Sequence, residues 1–149
     1  MNFTAREDYG LRAALDLALN VERGPVQSRE IATRQGIPEQ FLEQLLGALR
    51  RGGLVRSVRG AAGGYLLAAP PSAITVGDVL RTLSGPLVPV SCVTEEAEGP
   101  CEHEASFGVH TFWKRLADAV TDLADGMTLQ DLVDIQLQAD AQSSFMMNI

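Results

Sequence analysis

The run Arg59-Gly60-Ala61-Ala62-Gly63-Gly64-Tyr65 constrains this chain more than any other segment. It joins two short, apolar, strand-like stretches, residues 54–58 and 65–68. Glycine reaches the positive φ that a tight hairpin needs, and it lets backbone approach another surface closely. Arg56 and Arg59 add planar guanidinium forks suited to a phosphate or a guanine edge. Such a hairpin makes a poor core and a good basic wing, which points toward nucleic acid.

What precedes the wing supports that direction. Residues 4–20 read as a helix in which Thr4 and Glu7 form a capping box. Leu11, Ala14, Leu15, Ala18 and Leu19 hold one apolar stripe at helical period. Gly24-Pro25 breaks it. Ser28 is placed to cap a second helix over residues 28–35, which Gly36 ends. Pro38 favours the start of a third helix over residues 38–51. Leu42, Leu45, Leu46 and Leu49 fall on one face of it, and Gln40, Glu43, Gln44, Gly47 and Arg51 on the other. Two short helices joined by a glycine turn are a helix-turn-helix signature. With the hairpin, residues 1–70 are expected to form a winged helix-turn-helix DNA-binding domain. The fold class is mainly α with a small β-hairpin.

The net charge of −7 is unfriendly to a polyanion, but it is unevenly spread. Residues 1–70 hold nine arginines against seven carboxylates, a balance of +2. Residues 71–149 hold three basic side chains against twelve acidic ones, a balance of −9. One half can meet phosphate while the other faces away. No apolar stretch approaches the ~20 residues of a membrane span. The first residues lack the apolar core of a signal peptide, and two cysteines are too few for a disulfide scaffold. A cytoplasmic protein is expected.

Pro70-Pro71 marks a boundary. Thr75 caps a short helix over residues 76–83, and a loop rich in Glu, Gly and Pro follows, with both cysteines in it. Residues 71–105 are thus a short helix and a candidate sensor loop. A long helix is expected over about residues 106–125. Its Val109, Trp113, Leu116, Val120 and Leu123 step by 4, 3, 4 and 3, which is a coiled-coil seam. So short a seam is marginal alone, so it is expected to pair with a symmetry partner. Thr128 caps a last helix to about Gln138, with a frayed tail beyond, completing a dimerisation unit over residues 106–149.

An α-helix fits the major groove, where its N-terminal residues meet base edges. Gln40 and Gln44 can donate and accept as adenine requires, and Glu43 can accept from cytosine N4. The candidate DNA contacts are Ser28, Pro38, Glu39, Gln40, Glu43, Gln44 and Arg51 on the helix pair, and Arg56, Arg59 and Gly60 on the wing. Arg6, Arg29 and Arg50 are weaker phosphate candidates. Enzymatic motifs are missing: no Gly-x-Ser-x-Gly, no phosphate-binding glycine loop opening a helix, no His-Glu-x-x-His. The chain is not expected to be an enzyme.

Residues 4–13, Phe41-Leu42-Glu43-Gln44-Leu45, and Gly53-Leu54-Val55 through Gly63-Gly64-Tyr65-Leu66-Leu67 resemble the IscR/NsrR/CymR family of bacterial winged-helix regulators. The resemblance covers about residues 1–135. It implies a homodimeric transcription regulator whose long C-terminal helix pairs the subunits, and a pseudo-palindromic double-stranded DNA operator. It also implies a sensor in the loop before that helix, which in many members holds an iron–sulfur cluster. Members with a cluster usually carry three cysteines there, the last about six residues before a tryptophan. This chain has Cys92 and Cys101, with Phe107 at that position. His110 matches a histidine ligand of one branch, His103 lies nearby, and Asp8 or Glu7 matches a carboxylate ligand supplied across the dimer. Three readings of the loop stand open: an iron–sulfur cluster on Cys92, Cys101, a histidine and a carboxylate; a Cys92–Cys101 disulfide switch; and two cysteines with no redox role. Two other classes remain beside the regulator. One is a cluster carrier or electron-transfer protein, and the other a winged-helix protein-interaction module.

Overall fold

Thr4 starts the first helix, as its place before Glu7 predicts. In the computed structural model, which describes residues 3–88 and 107–148, α1 spans Ala5–Leu19 behind a complete capping box. The Thr4 amide donates to the Glu7 carboxylate at 2.6 Å. The buried face of α1 is wider than one stripe: Ala13, Ala14, Leu17 and Ala18 are in the core, while Leu11, Leu15 and Leu19 are half-buried around it. Helices pack on α1 from several sides, and small residues let them come close. A Cβ on Gly10 would stand 2.1 Å from Cδ1 of Leu83.

The second helix, α2, spans Ser28–Gln35 and ends on Gly36 in the left-handed region at φ 65°. Ser28 does not cap it. The extended N-cap backbone belongs to Gln27, no side chain caps the helix, and Ser28 is its first helical residue. The third helix, α3, spans Glu39–Arg51, with Pro38 immediately before it. Leu42, Leu45, Leu46 and Leu49 are fully buried. Strands β1 (Val55–Val58) and β2 (Gly64–Leu67) pair antiparallel from Val55 opposite Leu67 to Val58 opposite Gly64. A further pair of hydrogen bonds, both 2.8 Å, joins Val26 to Tyr65.

Thr75 caps α4 (Val76–Ser84) with Asp78 completing the box. Helix α5 spans Phe107–Gly126 and α6 Leu129–Met147, the latter capped by Thr128 with Asp131. The last helix therefore does not fray at Gln138. Its sequence has no Gly or Pro to stop it, and Gln130–Asp134 and Gln136–Asp140 hydrogen bonds at 2.9 and 2.8 Å brace successive turns.

One hydrophobic core runs through the molecule. Residues of α1, α2, α3 and the hairpin share it with Ile74, Val79, Leu83, Leu129 and Val133. The amide of Leu129 donates to Ile74 O at 2.9 Å and that of Val76 to Met127 O at 2.8 Å. A small second cluster of Leu80, Leu87 and Ala124, flanked by Val120, seats α5 on α4. Arg81 grips Asp125 there with two bonds of 2.7 and 2.8 Å, and holds that carboxyl below the usual range. Among the described residues, no helix is long and apolar enough to cross a membrane.

Candidate nucleic-acid interface

The leucine face of α3 is anchored in the core, so its opposite face is turned out. Glu39, Gln40, Glu43, Gln44 and Arg51 are all exposed, as is Pro38. Exposed polar side chains on a helix face can reach base edges in the major groove. Arg56, Arg59 and Gly60 are exposed on the wing. Ser28, half-buried, directs its hydroxyl toward Glu43 Oε1 at 3.5 Å.

Two glycines set the position of the wing. A Cβ on Gly63 would lie 2.1 Å from the Val58 carbonyl oxygen, inside the hairpin itself. Gly64 has φ 149°, and a Cβ there would lie 2.5 Å from the carbonyl of Val26. The hairpin therefore presses directly on the segment that leads into α2. The Val26–Tyr65 hydrogen bonds lock that contact, so wing and helix pair share one frame. Between them lies a hollow of about 320 Å³, bordered by Gln27, Ser28, Arg29, Glu39, Gly60 and Gly64. Gln27 joins the candidate face here beside Arg29, already a phosphate candidate, since both are exposed. On the other side, Arg50 reaches Ser57 at 3.5 Å and ties the end of α3 to β1.

The pose of α2 is held from behind by a buried carboxylate. Asp16 is 1% exposed. It accepts from Arg34 Nε at 2.9 Å and Nη2 at 2.8 Å, and from Gln35 Nε2 at 3.2 Å. The Asp16 hydrogen bond is the main reason that the Arg34 guanidinium is held more firmly protonated than usual. Arg34 also reaches Glu30, which Arg23 bonds at 2.8 Å; Arg23 first and Arg34 second hold the Glu30 carboxyl below its ordinary range. The sequence reading does not reach this clamp. Its one sequence signal is an aspartate at a position of α1 that the surrounding alanines and leucines make internal.

Arg6 donates from Nε to Leu83 O at 3.1 Å, which holds its side chain toward the end of α4. Glu7, the alternative carboxylate ligand, is buried in its capping box and accepts a short hydrogen bond from Ser84. Burial works against its charge, but the bonds from Ser84 and Thr4 outweigh that and bring its pKa to about 2. Asp8 is exposed and ion-paired with Arg12, whose guanidinium also donates to Gln35 O at 3.2 Å.

Cys92, Cys101 and His103 lie outside the described residues. Asp8 stands on α1 and half-buried His110 on the first turns of α5. Among the described residues, no three His, Cys, Asp or Glu side chains converge as a metal site would require. On the proposed seam, Val109 and Leu123 are exposed, and Trp113, Leu116 and Val120 half-buried.

A family model described as "Rrf2: Iron-dependent Transcriptional regulator" matches residues 3–135. The chain is 41% identical over 132 residues to the HTH-type transcriptional regulator CymR of Bacillus subtilis (strain 168), covering 89% of each. It is 40% identical over 136 residues to the HTH-type transcriptional regulator IscR of Escherichia coli (strain K12 / DH10B), covering 91% of this chain and 82% of that one. Among solved structures, that of CymR, described as the global cysteine regulator of B. subtilis, is similar with a TM-score of 0.76 at 38% identity. That likeness covers 91% of this chain and 98% of the other.

Proposed function

This chain belongs to the Rrf2 family of transcriptional regulators, and on that premise we propose that it acts as a homodimer that reads a pseudo-palindromic operator. Helix α3 enters the major groove with Gln40, Glu43 and Gln44 toward base edges. The wing carries Arg59, with Arg56 behind it, to the adjacent minor groove or phosphates. The observation that carries this reading is the Val26–Tyr65 lock, which makes an exposed polar helix face and an exposed basic wing one rigid unit. Two-fold symmetry then sets the half-sites about one helical turn apart. The carrier reading leaves both features without a use, and a protein-interaction module would instead bury Gln40, Gln44 and Arg59 against a protein partner.

The seam of α5 pairs the subunits, and the loop between α4 and α5 receives the signal. Two thiols in that loop support a disulfide switch. The family's description as iron-dependent supports a cluster instead. Iron content and visible absorbance of protein purified without air separate the two. Colourless, iron-free protein defeats the cluster, and thiols that stay reduced under mild oxidant defeat the switch.

Arg59→Ala tests the DNA reading. It is expected to weaken binding by about 1–3 kcal/mol and to flatten the salt dependence by about one phosphate contact. Unchanged affinity with an unchanged salt slope would remove Arg59 from the interface.

A further inference from the structure

Gly47 stands in the middle of α3, where glycine is the poorest helix residue after proline. Its backbone does not require it, because it is not among the glycines with positive φ. Packing between elements does not require it either. A Cβ on Gly10 would strike Leu83, on Gly52 Thr82, and on Gly64 the backbone of Val26, each on a neighbouring element. The side-chain atom near a Cβ on Gly47 comes from the same helix: it is Nη1 of Arg51, at 3.3 Å.

Helical side chains lean toward the N-terminus, so residue 51 covers the surface over residue 47. Its neighbour Arg50 turns away to Ser57. Arg51 is exposed and, among the described residues, makes no ion pair or side-chain hydrogen bond. Gln40, Gln44, Gly47 and Arg51 follow one row along the outward face, at spacings of four, three and four. The guanidinium therefore lies on the row of the two glutamines, just beyond Gln44.

We propose that Gly47 seats the Arg51 guanidinium on the reading face of α3, where it reads a guanine. The proposal rests on the DNA reading above and adds a third reading group to it. Arginine's planar fork matches O6 and N7 of guanine in the major groove. Gly47 lies ~4.5 Å along the helix axis from Gln44, little more than one base step of ~3.4 Å. The guanine thus belongs to the base pair next to the one that Gln44 meets. Gly47 itself touches no base and is a positioning residue that acts through Arg51.

The test uses the full chain and the duplex that it enriches from a random-sequence library, with each base pair of the half-site then changed in turn. Arg51→Ala is expected to lose roughly 5- to 150-fold of preference at a single G·C pair. Arg51→Lys should not restore it, because lysine has no fork. Gly47→Ala presses on the guanidinium and Gly47→Val fills its seat, so preference at the same pair should fall in that order. Both replacements should raise the urea midpoint, since each is a better helix former than glycine. That separates lost recognition from lost fold. In an Arg51→Ala background, Gly47→Val should cost nothing further. A Gly47→Val loss that is equal with and without Arg51 would mean that the glycine makes room for DNA itself, and would overturn the proposal. So would an Arg51→Ala loss spread evenly over all sequences with a flatter salt dependence, the mark of a phosphate contact. Either result leaves the DNA reading standing, whereas a parent protein that enriches no sequence fails both.

Discussion

Replacing Gly64 with alanine is the sharpest test of how the wing is held. An alanine Cβ there would meet Val26 C and O at 2.5 Å and Gln27 N at 2.9 Å. All three are backbone atoms, so no side-chain rotation relieves the clash. The chain must open the Val26–Tyr65 pair, losing two hydrogen bonds of 2.8 Å worth about 1 kcal/mol each in net terms. Alanine held near φ 149° adds about 1 kcal/mol of backbone strain. The expected loss is about 3 kcal/mol, a large share of the ~5–15 kcal/mol of an ordinary domain. Gly60→Ala is the control. Its φ is also positive at 108°, but nothing lies within 4 Å of the added Cβ. That change should cost about 1 kcal/mol. Urea unfolding measures both losses, and amide exchange at Val26 and Tyr65 locates the damage. Gly64→Ala should speed exchange at those two amides, and Gly60→Ala should not. A Gly64→Ala protein within about 0.5 kcal/mol of the parent, with both amides still protected, would refute the lock.

Three other expectations follow from the same structure. Asp16→Ala strands Arg34, but the Arg34 side chain is 37% exposed and keeps its water, so the loss should be about 2 kcal/mol rather than the ~3–5 of a fully buried pair; a loss too small to resolve in urea unfolding would mean that apolar contacts alone seat α2. Glu7 has its folded pKa lowered from 4.5 to about 2, so its stabilisation is complete above about pH 4.5 and drains away as the pH falls toward 2. The stability gap between parent and Glu7→Gln should be constant at neutral pH and close over that acid window, and a gap that stays flat down to pH 2 would contradict the bonding described. Leu123→Asp should yield a folded monomer in sedimentation, because Leu123 is exposed, whereas Val120→Asp should also damage the fold, since Val120 packs against Leu80, Leu87 and Ala124; a dimeric Leu123→Asp would displace the seam.

The legible parts of this fold are those whose signals are local. Thr4 with Glu7, Thr75 with Asp78, and Gly36 at a left-handed C-cap each depend on residues within one turn of each other. The leucine row of α3 determines both its core face and, by subtraction, its outward face. Ser28 shows the limit of such reading: serine favours the cap position, yet the extended backbone falls on Gln27. The Val26–Tyr65 pairing was not legible, because one valine in a loop carries no sign of the strand it will meet. The Asp16 clamp depends on Arg34, two elements away. The end of α6 was missed for a different reason. Its last turns lack apolar periodicity, and only the absence of a breaker favours helix there. The arrangement of the DNA face was therefore readable in outline, but not the contacts that lock it.

Helix α3 and the wing are proposed to read DNA as a symmetric pair. Selection of bound duplexes from a random-sequence library by the purified protein tests it most directly. The expected result is an enriched site with two inverted half-sites about one helical turn apart, and a changed base preference within each half-site when Gln40 is replaced by alanine. An enriched set with no dyad, or one whose bases are indifferent to Gln40, would contradict it.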